Sequence, residues 1–404
     1  MDTMMTIEHT PLLLASTVEE SAPKVAAGRL PFMAFVDAES ERVLQESSTL
    51  FGRHLIQKGG LEKAIDYLSQ QRSPQLLIVD ISGVDMPLTL IQTLAEVCEP
   101  GTDVVALGDR DSVALYRDLV EAGVSNYIVK PLTRDLIAKL LSPKRVVTKT
   151  SLKLGKIMSF VGARGGVGTT TMAANLAWHL ANRQGRRVAL VDLGLQDGDC
   201  ALLFNAPITP GFWDALHNPL RLDHILLDRI MTQVSERLFV IAAQEPLDAN
   251  VQFTASAIDS LFSVLRSKFH YVIVDVPHVQ APAYRRALEM ADRRIVVVDQ
   301  TMRSMRDAVR ITNLFNDGMP DQRNSFVVNR VGEAGANALS MKDLETVLQV
   351  KPASLVPFAP KLVSPAASYA EIAASKRGKF GNALSKLSLE LSGGRQRRKW
   401  WRAK

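Results

Sequence analysis

The chain has 404 residues, 47% of them hydrophobic and 22% charged, which predicts a soluble protein with room for two ordinary domain cores plus tails. Its two cysteines, Cys98 and Cys200, lie far apart and show no CxxC spacing, so neither a disulfide framework nor a zinc site is indicated and a cytoplasmic setting is expected. The formal net charge of +6 is local: the last ten residues, RQRRKWWRAK, hold six basic groups, leaving 42 basic against 42 acidic, so a general nucleic-acid surface is not supported.

Residues 1 to 30 lack a basic n-region, and PLLLA is too short for a signal-peptide core, so this segment reads as disordered. No apolar run approaches the roughly 20 residues that span a bilayer. From Pro31, the runs FMAFVD, QLLIVDI, DVVALGD and SNYIVK read as buried strands separated by helical stretches, predicting a first α/β domain over 31–141. Alternation of this kind implies a parallel sheet covered on both faces. A basic, polar stretch over 142–154 reads as a linker.

The second predicted domain, 155–392, is also α/β. Its expected strands are KIMSFVG, RVALVDL, LFVIAAQ, YVIVDVP, RRIVVVD, RNSFVVN and ASLVPFA, with a helix over TTMAANLAWHLANRQ. Phe380, Leu384, Leu387 and Leu391 recur at helical spacing and predict a stripe packed on the core. Residues 393–404 form a basic tail in which Trp400 and Trp401 stand among arginines and lysines. Basic groups attract anionic lipid and indoles favour the membrane boundary, so contact with an anionic membrane or an acidic protein patch is one reading and a solubilising end the other.

The chemistry concentrates in GARGGVGTTT, placed between a strand and a helix. Glycines there let successive backbone N–H groups face one anion, and the helix adds its positive end. The loop resembles that of the deviant Walker, MinD/ParA-like proteins, and with LVDLGLQDGD it looks closest to the CpaE/TadZ branch, the assembly and localisation proteins of Flp (Tad) pili. On that pattern Arg164 stands for the lysine that crosses a nucleotide-sandwiched dimer. Gly165, Gly166, Val167 and Gly168 form the cradle, and Thr169 replaces the phosphate-loop lysine. Thr170 takes the magnesium position and Thr171 lies near the α-phosphate. Asp275 is the Walker B carboxylate, and Asn329 takes the adenine-recognising position. Asp192 keeps the first acid of the family's D-x-D pair, but Gly194 replaces the second. A lysine charge at ~4 Å and an effective dielectric of about 20 is worth roughly 4 kcal/mol, so its loss weakens both binding and turnover.

The order FVDAE, LLIVDI, VVALGD, YIVKP resembles a response-regulator receiver, with flavodoxin-like topology implied. Asp80 falls at the phosphoacceptor position, Lys130 at the lysine position, and Asp37 is one of two metal-holding acids. Ala38 replaces the second acid and Gly108 the switch hydroxyl. An unphosphorylated docking or dimerising module is therefore expected.

The resemblance implies a homodimer working with other pilus or secretion-machine proteins at the cytoplasmic face of the inner membrane or the cell pole. Weak ATP and Mg2+ binding at best, and slow or no hydrolysis, go with it. A partitioning ATPase acting on DNA would use the missing lysine, the D-x-D pair and a basic body. A phosphorelay output protein is opposed by Gly108 and Ala38.

Overall fold

A computed structural model describes residues 29–141, 154–277, 281–315 and 323–392. The expectations for 1–28, for 142–153 of the linker and for the tail 393–404 lie outside these. The fold is α/β throughout, in two sheets that differ in strand count and order.

The first sheet comprises β1 (Phe32–Val36), β2 (His54–Lys58), β3 (Leu76–Asp80), β4 (Asp103–Gly108) and β5 (Asn126–Val129), all parallel in the order β2-β1-β3-β4-β5. This is the order of flavodoxin-like doubly wound sheets, whose sites lie beyond the carboxyl ends of the strands. Asp80 closes β3, and Asp37 follows β1 directly.

The second sheet comprises β6 (Lys156–Gly162), β7 (Val188–Asp192), β8 (Thr232–Gln233), β9 (Leu238–Ile241), β10 (Tyr271–Val276), β11 (Arg293–Val298), β12 (Asn324–Val331) and β13 (Ser354–Pro357). Its order is β13-β12-β11-β6-β10-β7-β9-β8, parallel except for the antiparallel edge pair β8–β9. β6 and β10 lie at the centre with apolar residues on both faces, as expected where helices cover a parallel sheet on both sides. The helix Lys379–Ser392 buries Phe380, Leu384, Leu387 and Leu391 against one face.

The sequence reading misses β2 and β8. Both are edge strands: HLIQK has no fully buried residue, and TQ has only two residues to show any pattern. Among the described residues no helix is long and apolar enough to cross a membrane.

Candidate functional site

Gly162 ends β6, and the helix Thr169–Asn182 begins seven residues later, so the phosphate loop lies at the carboxyl edge of the central strand. Gly168 precedes that helix at φ +89° and supplies no side-chain cap. The first-turn amides are therefore open to an anion. Asn329 Nδ2 donates to Val167 O at 2.8 Å, and a Cβ built on Gly168 would meet that nitrogen at 2.5 Å. Asn329 thus ties β12 to the loop, and the glycine is required both by conformation and by this close approach. Beside it Gly168, Thr171, Asn329, Arg330 and Phe358 line a cavity of about 200 Å³.

Below the loop the sheet brings two acids together. Asp192 and Asp275 are cross-strand partners at the ends of β7 and β10, and both are buried. Asp192 accepts from the backbone N–H of Gly194 at 2.9 Å and of Cys200 at 3.0 Å. The Thr170 hydroxyl favours the charged form of Asp275, and the Cys200 thiol lies 3.9 Å from its Oδ2. Burial, and then the charge of Asp192, push Asp275 up to about 7. Asp192 is also raised, chiefly by burial, and the Cys200 thiol is held neutral by burial and both carboxylates. Asp192, Cys200 and Asp275 place donor atoms within 4.8 Å of one another.

The D-x-D substitution has a spatial counterpart. The turn after β7 closes through Gly198 N to Gly194 O at 2.8 Å. A Cβ on Gly198 would fall 2.4 Å from Asp192 Oδ2, and one on Gly194 would be 3.2 Å from Asp192 Oδ1. The chain therefore folds tightly over Asp192, leaving Asp197 and Asp199 exposed rather than in the vacated position. Arg164 turns back within its own chain: Nη1 donates to Gly165 O at 3.0 Å, and Nη2 pairs with buried Asp299. Asp299 also accepts from the Thr301 hydroxyl at 2.7 Å.

The family model described as cellulose biosynthesis protein BcsQ matches residues 155–357, half of the chain. The chain belongs to this family of MinD/ParA-like P-loop ATPases. The septum site-determining protein MinD of Synechocystis is 29% identical over 210 residues, covering 51% of this chain and 76% of the relative. The ParA family ATPase of Chlorobium tepidum has a similar fold, with TM-score 0.53 and 21% identity over 59% of this chain and 98% of its own. The pilus assembly protein CpaE of Caulobacter crescentus is 33% identical over 27% of this chain and 88% of its own, with TM-score 0.26.

MinD/ParA-like proteins bind a nucleotide with Mg2+, and part of this site fits that pair. Open amides suit phosphate oxygens, and the Thr170 hydroxyl beside two carboxylates suits a hard divalent cation. Bound there, Mg2+ would supply charge neutralisation for the phosphates. The misfit is at Thr169. Its Oγ1 lies 2.5 Å from where a Cβ on Gly162 would stand, against the end of β6, and it carries no charge.

The second candidate site lies at the carboxyl edge of the first sheet. Lys130 Nζ bridges Asp37 Oδ2 at 2.5 Å and Asp80 Oδ2 at 2.6 Å. Asp80 Oδ1 further accepts from Ser82 N at 2.8 Å, and Asp37 Oδ1 from Ser40 N at 2.8 Å. Burial works against the charged form of Asp37, but the Lys130 and Ser40 hydrogen bonds outweigh it and lower its pKa. Lys130 is itself raised: burial opposes its charge, and the two carboxylates prevail. Gly108 leaves no vacancy, since a Cβ there would stand 2.4 Å from the Tyr127 hydroxyl, which donates to Arg110 O at 2.8 Å.

Asp299, Cys200 and Tyr127 are the site residues that sequence reasoning misses. Asp299 was detectable in principle, because RRIVVVD ends an apolar strand in aspartate just as RVALVD and YVIVD do. Tyr127 and Cys200 carry no such local signal.

Proposed function

We propose that this MinD/ParA-like protein is an assembly and localisation factor for a Flp/Tad-type pilus or a related secretion machine. In this reading its P-loop unit, residues 155–392, dimerises, binds ATP weakly and turns it over slowly or not at all. The observation that carries the reading is Thr169 at the phosphate-loop lysine position, above a buried acid pair and beside an arginine already committed to Asp299. Without a cation from position 169, a triphosphate held by the loop meets the amides and Mg2+ alone. Such a domain keeps the shape of the family and loses most of its engine.

The loop GARGGVGTTT, the stretch LVDLGLQDGD and the pairing with a receiver-like unit support the pilus assignment. Partners in that role are a second copy of the chain and other machine components, with tail residues 393–404 contacting an anionic membrane. The unit over 31–141 acts as a docking module in which Lys130 supplies the cation between Asp37 and Asp80.

A second reading, a MinD-like positioning ATPase, is favoured by the matches to MinD over half of this chain. A magnesium-dependent ATPase assay on the purified full chain separates the two. Turnover at the rate of an ordinary P-loop enzyme overturns the first reading, whereas background turnover with dimer formation supports it.

A further inference from the structure

Between the two α/β units lies a cavity of about 720 Å³ that neither the phosphate loop nor the Asp80 site uses. Arg53, Tyr67 and Arg72 contribute one wall, and Arg187, Asp228 and Glu236 the other. Its size is ordinary for a small-molecule site. Direct contacts fix the junction around it. His270 Nε2 bonds Cys98 O at 2.8 Å, and Arg237 Nη2 donates to Gln71 O at 3.2 Å.

Arg187 is the exceptional group. It is only 5% exposed, yet its Nε is sealed from solvent with no hydrogen-bond partner, and it forms no ion pair among the described residues. Its guanidinium is held instead by two aromatic faces, 4.4 Å from the Phe239 centroid and 5.1 Å from that of Phe269. Other junction arginines are engaged. Arg29 donates to Ser73 O at 3.0 Å and Pro74 O at 2.8 Å, and Arg237 to Gly185 O at 2.7 Å. Glu99 and, less strongly, Asp228 attract Arg187 electrostatically without bonding it, and Arg72 holds the two Glu99 oxygens at 3.3 and 3.4 Å. Among the wall acids, Asp228 is paired with Lys268 and Glu236 is exposed.

Burial draws the Arg187 pKa down to about 10, so the group remains charged at neutral pH. A largely buried cation whose terminal N–H groups have no acceptor among the described residues is costly, and native folds keep such a group where something supplies the acceptors. We propose that the cavity binds a phosphate-bearing small molecule whose phosphate oxygens take the terminal Nη groups of Arg187. Exposed Arg53 closes on the same phosphate from the opposite wall, and Tyr67 offers a flat apolar face to the rest of the ligand. Two guanidinium groups from different walls suit a polyoxygen anion, which each can grip as a fork. Since the walls belong to different units, the ligand would clamp the receiver-like unit onto the P-loop unit.

The probe is inorganic pyrophosphate, titrated calorimetrically into the full chain. To silence the phosphate loop, the titration uses a Gly165→Asp background. A side chain at Gly165 meets no atom within 4 Å, so a carboxylate there repels anions without overpacking. Pyrophosphate is expected to bind this background, with affinity falling about tenfold or more on Arg187→Met and again on Arg53→Glu. Circular dichroism checks the fold of the Arg187 variant, and Arg53, being exposed, decides the matter if that variant unfolds. Absence of binding at millimolar pyrophosphate, or an affinity unchanged by Arg53→Glu, overturns the proposal.

Discussion

Replacing Thr169 by lysine returns a cation to a loop that otherwise keeps its shape. Cβ atoms built on Gly165 and Gly166 meet nothing within 4 Å, so the loop is open at those two residues, towards which the longer lysine must turn from the end of β6 where Thr169 Oγ1 now lies. One unit charge at ~4 Å and an effective dielectric of about 20 contributes roughly 4 kcal/mol, and desolvating the ammonium takes part of that back. A net gain of ~1.5 to 3 kcal/mol, or about 10- to 100-fold tighter ATP, is expected. The same ammonium offsets the repulsion between Asp192 and Asp275, drawing Asp275 down from about 7. Calorimetry with ATP and Mg2+ on both proteins measures the change, and thermal unfolding checks that the variant folds. Turnover is expected to stay low even so, because Gly194 supplies no second acid. A folded Thr169→Lys variant that binds ATP no better than the parent would refute the assignment of position 169 and the reasoning built on it.

Gly108→Ala drives a methyl to 2.4 Å from the Tyr127 hydroxyl and is expected to cost about 1 to 3 kcal/mol in urea unfolding, recovered when Tyr127 is also made Val. A neutral Gly108→Ala would show that the tyrosine is not locked there. Asp275 has an ordinary pKa of 3.8 unfolded and about 7 folded, so between those values the native state holds a proton that the unfolded chain has released. Stability from this group therefore falls as pH rises from about 4 to about 7, with the full cost present above that range. Asp275→Asn removes the slope, and urea midpoints at about pH 5 and about pH 8 should converge in the variant; an unchanged gap contradicts the raised value. Acetyl phosphate with Mg2+ should leave no stable label on Asp80, whose Oδ2 Lys130 holds at 2.6 Å. Strong labelling abolished by Asp80→Ala would reinstate a phosphorelay.

What the sequence made legible was whatever repeats over a few residues. Eleven of the thirteen strands are short apolar runs, and the two that escaped, His54–Lys58 and Thr232–Gln233, sit at sheet edges where burial imposes little pattern. The loop and the strand-ending acids Asp192 and Asp275 were legible through motif spacing. Hidden instead were contacts that no motif records. Asp299 fixes the direction of Arg164 from 135 residues away, and Asn329 reaches the loop from 162 residues away.

Glycine substitutions mislead most when read one at a time. Taken singly, Gly108 and Gly194 look like erosion, each a functional side chain lost. In space neither is a gap. Tyr127 occupies the room beside Gly108, and the Gly194–Gly198 turn closes on Asp192. This distinguishes the losses physically. The charge missing at Thr169 belongs to one side chain, beside Gly165 and Gly166 where the loop is open. An aspartate at position 194 would start with its Cβ 3.2 Å from Asp192 Oδ1 and from Gly198, bringing a third carboxylate toward a pair already short of cations. Restoring the second acid therefore requires the turn to reopen as well, so binding should be recoverable by a single substitution and brisk hydrolysis should not.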